Sequence, residues 1–303
     1  MYKKSLIKLL VSLGLVVLIC WQIDFQEFTN NLQLISLKII FVTSLLYILG
    51  QVISSIKWQI FLKKTTIQKK LWTLIHVYFL GMFINTFGLG TVGGDLARAL
   101  LLKPDPEQRL AAFSSVIADR IHGLVVLLIF GAIAVLIIQP EIFNISTTIL
   151  NFLASIGIFC AIFGWFYLSQ ILVFCSKFSQ KLKGIVVGLT LTFRLTHLDL
   201  LKATVLSVSM HTLHIFIYYL LAKSLGVEVN FSYFCVVVPI VNVASSLPIS
   251  INGIGIRESL LILLLAEVQV AAATAALLGV LFTVIVTIIS GLGGLVGSRK
   301  IFS

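Results

Sequence analysis

Charge is what this chain has least of: 11% of its 303 residues are Asp, Glu, Lys or Arg, and only 11 are acidic. Globular chains carry about 25% charged residues, so no stretch here is polar enough for a soluble catalytic domain. Cysteine is scarce as well. Cys20, Cys160, Cys175 and Cys235 lie scattered in apolar runs with no CxxC or metal-ligand spacing, which argues against a disulfide framework and leaves them as small core or lipid-facing side chains. No DxD, HxxxH or ATP-binding loop occurs, so neither cofactor nor metal is expected. His211 and His214 share a helix face, but without nearby carboxylates or cysteines they make a poor metal site.

What is present is hydrocarbon. Hydrophobic residues make up 59% of the chain and the mean hydropathy is +1.11, which marks an integral membrane protein. The net charge of +11 does not point to nucleic acid, because the basic residues sit in short loops between apolar segments. Such a pattern sets topology and favours anionic lipid head groups. Lys3, Lys4 and Lys8 precede the apolar run Leu9–Trp21 with no A-x-A cleavage site behind it, so this segment reads as a retained anchor.

Apolar runs approaching the ~20 residues of a spanning helix occur near 5–22, 39–62, 71–90, 112–138, 149–173, 203–222, 231–249 and 271–297, with shorter ones at 96–102 and 259–266. Three basic clusters belong in the cytoplasm together with the amino terminus: Lys63, Lys64, Lys69 and Lys70; Lys177, Lys181, Lys183 and Arg194; Arg299 and Lys300. The number of crossings between any two clusters must then be even. That holds if 71–90 with 96–102, and 231–249 with 259–266, turn back as hairpins. The Pro140–Ser146 loop, with Glu141 and no Lys or Arg, then lies outside. The expected fold is all-α: a polytopic membrane protein with about six spanning helices and two oppositely oriented re-entrant hairpins, an inverted-repeat arrangement. It forms one membrane domain over 1–303, with a first half near 1–173, a second near 200–303 and a basic cytoplasmic loop 174–202. Both termini are expected in the cytoplasm, and the location is the cell membrane.

Each hairpin tip is a polar, glycine-rich interruption: Gly88–Arg98, GLGTVGGDLAR, and Ser245–Glu258, SSLPISINGIGIRE. Irregular backbone at membrane depth is tolerated only where protein or a water-filled cavity satisfies it, so function is expected there. In the first tip, Gly93, Gly94 and Asp95 precede the run Leu96–Leu102, which predicts a helix start capped by Gly94 or Asp95. Its amides, with Arg98 one turn on, suit a phosphate; the plainer alternative is that Asp95 caps the helix and pairs with Arg98. In the second, Pro248 stops the incoming segment, and Gly253 and Gly255 allow a tight turn into a helix near Ile256. Arg257 in its first turn opposes the helix dipole and needs a reason, either an ion pair within the fold or an anionic substrate. Ser245, Ser246, Ser250 and Asn252 add polar partners, and Glu258 follows. Asp119 and Arg120 point to different faces of the next helix, with His122 nearby. Arg120 can neutralise Asp95 or a lipid phosphate, and Asp119 can brace Arg98; as interfacial anchors they would be ordinary.

The motifs GGDLAR, ADRIHG and LPISINGIGIRE, in that order, resemble those of the lysylphosphatidylglycerol synthase transmembrane-domain family, the flippase-like UPF0104-type membrane proteins. The resemblance spans roughly Lys8 to Gly297, with FGLGTV standing where a proline usually precedes the first glycine pair. It implies movement of a lipid between leaflets and no enzyme activity, since aminoacyl transfer in bifunctional relatives resides in a separate soluble domain. The expected substrate is an anionic or zwitterionic lipid, aminoacylated, polyprenyl-linked or related, whose head group passes between the hairpin tips. Arg98, Arg257 and Arg120 would bind phosphate, with Asp95, Asp119 and Glu258 pairing them when the site is empty. The rival readings are a membrane-embedded lipid-linked transferase or phosphatase, and a non-transporting partner of a lipid-synthesis enzyme. The expected partners are membrane lipids.

Overall fold

The computed structural model describes residues 2–140, 145–176, 186, 189–190, 192–193, 195–247 and 249–301. Lys177, Lys181, Lys183 and Arg194 of the basic loop, Glu141 of the outer loop and the helix-stopping Pro248 lie outside the described residues, as do the side chains of Lys3, Lys4, Lys8, Cys175, Arg299 and Lys300. The described residues are helical with no strand. In chain order they form α1 (Tyr2–Gln22), α2 (Phe25–Gln33), α3 (Leu37–Leu62), α4 (Leu71–Ile84), α5 (Gly90–Leu101), α6 (Arg109–Ile138), α7 (Thr147–Ser176), α8 (His197–Ser224), α9 (Phe231–Ser246), α10 (Ile256–Ala266) and α11 (Ala272–Ile301). A π-helical turn, Asn85–Leu89, joins α4 to α5.

Among the described residues, six helical stretches are long and apolar enough to cross a membrane: Leu37–Leu62, Leu71–Gly88, Pro106–Ile138, Thr147–Tyr167, His197–Ser224 and Ala272–Leu295. The polytopic all-α expectation holds, with two differences in membership. The first apolar run does not continue straight: α1 and α2 meet at 91°, because the Asp24 carboxylate accepts from the amides of Gln26 and Glu27 at 2.8 and 3.2 Å and starts a new helix in a new direction. Leu71–Gly88 reaches spanning length unaided, since the π-helical turn extends α4.

The chain condenses into two compact units, and the division falls within α3, α6, α7, α8 and α11. Met1–Leu49, Phe130–Ser155 and His211–Ile289 form the first; Gly50–Ile129, Ile156–Met210 and Ser290–Ser303 form the second.

The first unit is built around the α9–α10 hairpin. Its two helices close on each other at their far ends, where the Tyr233 hydroxyl donates to the Leu264 carbonyl at 2.7 Å. Pro239 sits inside α9 and breaks its ladder. The ring fits because α6 offers Gly131 there, whose added Cβ would lie 2.8 Å from Pro239 Cβ. Val236, Val237, Val241, Leu261 and Leu265 are fully buried with Ile215 and Leu277. Near the hairpin tip, α1 docks through Ser12, whose Oγ accepts from the Ile251 amide at 2.9 Å.

The second unit holds the α4–α5 hairpin. Close approach there depends on two glycines: a Cβ on Gly94 would stand 2.5 Å from the Gly81 carbonyl, and one on Gly81 would stand 2.5 Å from Arg98 Cγ. Trp58, Leu62, Leu74, Val77, Leu102 and Val116 form its apolar core. The end of α11 packs on α4 through Gly293 and Gly294 against Phe79 and Phe83, and Thr86 donates to Ser290 at 3.1 Å. The part of α7 in this unit, by contrast, leaves Phe159 and Phe166 exposed, as a lipid-facing helix should.

Candidate functional site

In the second unit the chain breaks at Gly88, whose φ of −120° and ψ of −115° leave the helical region, and α5 begins at Gly90. The expected helix start at Gly93–Asp95 is therefore corrected. Gly93, Gly94 and Asp95 are the fourth to sixth residues of α5, past the helix start whose free amides would face an anion. The break falls earlier because Gly88 accommodates it and because Gly94 must be helical to lie flat on Gly81.

What gathers at this tip is a charge cluster. Asp119 Oδ2 lies 3.2 Å from Arg98 Nη2, and Asp119 Oδ1 lies 3.2 Å from Lys57 Nζ. All three side chains are at most 5% exposed. Toward the rim, Asp95 is 26% exposed, lies 3.7 Å from Arg98 Nη1 and pairs at 2.9 Å with Arg120, which is half exposed. Asp119 thus braces Arg98 and Arg120 meets Asp95, the pairings that the sequence suggested. The Arg98 guanidinium is also clamped between two rings, 4.3 Å from the centroid of Trp58 and 4.1 Å from that of Tyr78. Three cations share two carboxylates, so the cluster carries one positive charge in excess. His122 lies near these charges but turns its ring nitrogens to hydroxyls of α8. Its ring nitrogens meet Thr204 Oγ1 at 3.3 Å and Ser207 Oγ at 3.5 Å, and it packs on Phe61 and Trp165.

Lys57 was not among the expected residues. Its signal was nonetheless present, as a cation five residues before the end of a 26-residue apolar helix whose other cation, Lys38, sits at its start; a charge within an apolar run marks a site by its cost. Gly123 makes room for it, since a Cβ there would come within 2.9 Å of Lys57 Nζ.

In the first unit, α9 ends where Leu247 turns extended, and the chain then uses left-handed backbone at Asn252 (φ 53°), Gly253 (φ 77°) and Gly255 (φ 85°). Gly253 has a second constraint, because its Cβ would meet Ser245 Cβ at 2.7 Å. α10 begins at Ile256, where the sequence predicts it. Glu258 caps it, its Oε2 accepting from the Gly255 amide at 2.7 Å. Arg257 and Glu258 do not bond directly; Thr283 of α11 links them. Arg257 Nη1 donates to Thr283 Oγ1 at 2.6 Å, and the Thr283 hydroxyl lies 3.3 Å from Glu258 Oε1 and 3.0 Å from the Gly279 carbonyl. Arg257 Nη2 reaches the Asn252 carbonyl at 3.4 Å, and the guanidinium stands 5.3 Å from the Phe282 ring centroid. Among the described residues of this unit, several buried polar atoms have no hydrogen-bond partner: Arg257 Nε, Ser245 Oγ, Ser250 Oγ and His214 Nε2.

A helix break with glycine, followed on the next helix by an arginine, recurs in both units, and it accompanies a match along nearly the whole chain. Residues 5–294 match the family described as the lysylphosphatidylglycerol synthase TM region. The chain belongs to this family. It is also similar to the UPF0104 membrane protein PH1989 of Pyrococcus horikoshii, at 25% identity over 227 residues that cover 66% of this chain and 66% of that protein. The family concerns a membrane region, and both hairpin tips lie inside the matched residues.

Proposed function

We propose that this protein carries an anionic or zwitterionic phospholipid or polyprenyl-linked lipid between leaflets of the cell membrane, binding its phosphate at the Arg257 tip. The observation that carries the reading is the set of buried donors left without partners there: Arg257 Nε, Ser245 Oγ and Ser250 Oγ. An unmet buried polar atom costs about 1–3 kcal/mol, and each of these is a donor to which a phosphate oxygen would be an acceptor. The partners that Arg257 does have, a hydroxyl and a carbonyl, leave its charge without a directly bonded carboxylate. Arg98 differs: ringed by Trp58 and Tyr78 and paired to Asp119, it braces its hairpin, while the half-exposed Arg120 is the cation of that cluster open to a head group.

In this reading the termini and the Lys63–Lys70 loop face the cytoplasm. The test is leaflet-resolved exchange of a fluorescent phospholipid in vesicles containing the purified chain. Arg257→Ala should abolish exchange, and Arg257→Lys should retain part of it, because an ammonium supplies charge without the forked donors. Recovery of exchange in Arg257→Ala with Glu258→Gln would assign Arg257 to neutralising Glu258 and end the phosphate-binding role. A new covalent lipid product that disappears in Asp119→Asn would replace transport with enzyme chemistry.

A further inference from the structure

The first unit contains a cavity of about 260 Å³ that the phosphate site does not use. Ile19 of α1, Phe25 and Phe28 of α2, and Val280 and Val284 of α11 line it, and it ends against Glu258 and Thr283. These last two turn carbon toward it, because their oxygens are engaged with the Gly255 amide, Arg257 and each other. A cavity with carbon walls stays dry and takes apolar ligands. At about 30 Å³ for a water-sized group, the space fits roughly eight or nine methylenes, about half of a common acyl chain.

The roof explains how such a chain is offered. In α2, Phe25, Phe28 and Leu32 fall on one face, and Gln26, Glu27, Asn30 and Asn31 on the rest. The polar face is pinned to the start of α11, with Asn31 Nδ2 donating to Thr274 Oγ1 at 3.0 Å and that hydroxyl 3.4 Å from Glu27 Oε1. A short amphipathic helix turned 91° from an apolar one has the build of an element lying in the membrane interface. Leu13, Val17 and Leu18 of α1 are more than half exposed, so bilayer hydrocarbon surrounds the site.

We infer that this cavity is a slot for one hydrocarbon chain of a membrane lipid, roofed by α2 and backed by the Glu258–Thr283–Arg257 link. The slot rests on the lipid-handling reading only in that its occupant would press on the residues that hold Arg257.

The test uses the full chain in phosphatidylcholine vesicles containing a lipid with a mid-chain diazirine, with adducts mapped by peptide mass spectrometry. Adducts should concentrate on residues 9–33. Val280→Phe should lower them by about tenfold, since a filled slot leaves the chain no apolar wall to bury against. Val16→Phe, which fills the same slot from α1, should do likewise and decides the matter if the first variant folds poorly. Adducts spread evenly over residues 9–33 and the exposed face of α7, or unchanged in both variants, overturn the slot. Exchange without preferred labelling removes the slot and leaves the transport reading; preferred labelling without exchange does the reverse.

Discussion

Replacing Asp119 by Asn leaves Lys57 and Arg98 buried with no carboxylate on either short contact. In the native cluster these three side chains sum to one positive charge, all at most 5% exposed. Asn raises the buried excess to two, whereas Lys57→Met lowers it to zero and leaves a matched Arg98–Asp119 pair. Removing one partner from a buried pair costs about 3–5 kcal/mol because it leaves a charge uncompensated, and Lys57→Met leaves none. Asp119→Asn should therefore lose about 3–5 kcal/mol, and Lys57→Met less than about 1 kcal/mol. Combining the two should recover roughly half of the Asp119→Asn loss, because only Arg98 has then lost its short contact, with Asp95 at 3.7 Å as its remaining carboxylate. The assay is reversible denaturant unfolding of the purified chain in mild detergent, with the three variants measured side by side. Equal damage from Lys57→Met and Asp119→Asn would refute the charge count, and so would a neutral Asp119→Asn.

Gly94→Ala drives a Cβ to 2.5 Å from the Gly81 carbonyl, and overpacking against backbone should cost about 3 kcal/mol or more. Gly123→Ala meets no backbone, only the side-chain end of Lys57 at 2.9 Å; with up to about 1 kcal/mol of helix propensity in its favour it should cost well under what Gly94→Ala costs, and thermal unfolding of the pair checks the contrast. Tyr78→Phe should be silent while Tyr78→Leu loses about 1–2 kcal/mol from the face that Arg98 stacks on; equal losses in the same unfolding assay would mean that the hydroxyl, not the ring, matters. In a version without native cysteines, a cysteine at Lys64 should react only with reagents admitted to the cytoplasm and one at Thr147 only from outside, and the opposite labelling would break the assigned topology.

Much of this architecture is legible in one dimension because its causes are local. Apolar runs of spanning length become helices, and the Gly253 and Gly255 turn delivers α10 at Ile256 as read. The pairing of Asp119 with Arg98 and of Arg120 with Asp95 also follows, since a lone charge in an oily segment needs an opposite one. The rest depends on which segments meet in space. Lys57 joins Asp119 across 62 positions, and neither Trp58 nor Tyr78 announces itself as a seat for a guanidinium among so many aromatics. The start of α5 at Gly90 is set by the contact between Gly81 and Gly94, which no local reading of the glycine-rich tip contains. Thr283 as the link between Arg257 and Glu258 is invisible for the same reason: it lies 26 residues on, on another helix.

The two arginines differ in their surroundings, and on the proposed reading that difference decides which of them takes the phosphate. Arg257 stands two residues after Gly255 and Arg98 ten after the break at Gly88, and Arg98 is met by carboxylates and two ring faces, all of which favour its charge in place. Arg257 is met by the Thr283 and Tyr218 hydroxyls, a carbonyl and one ring at 5.3 Å, and the adjacent carboxylate is spent on capping the Gly255 amide. A cation at a helix start is already opposed by the helix dipole, and hydrogen bonds to neutral groups do not remove that opposition. An incoming phosphate would do so, since it favours both the guanidinium and the dipole of the helix that bears it. The same substrate gains nothing at Arg98, whose amide environment is closed within α5. The chemical asymmetry between the tips therefore follows from their neighbours rather than from the arginines, which is why substitution at Thr283 should alter lipid exchange while leaving the Asp119 cluster untouched.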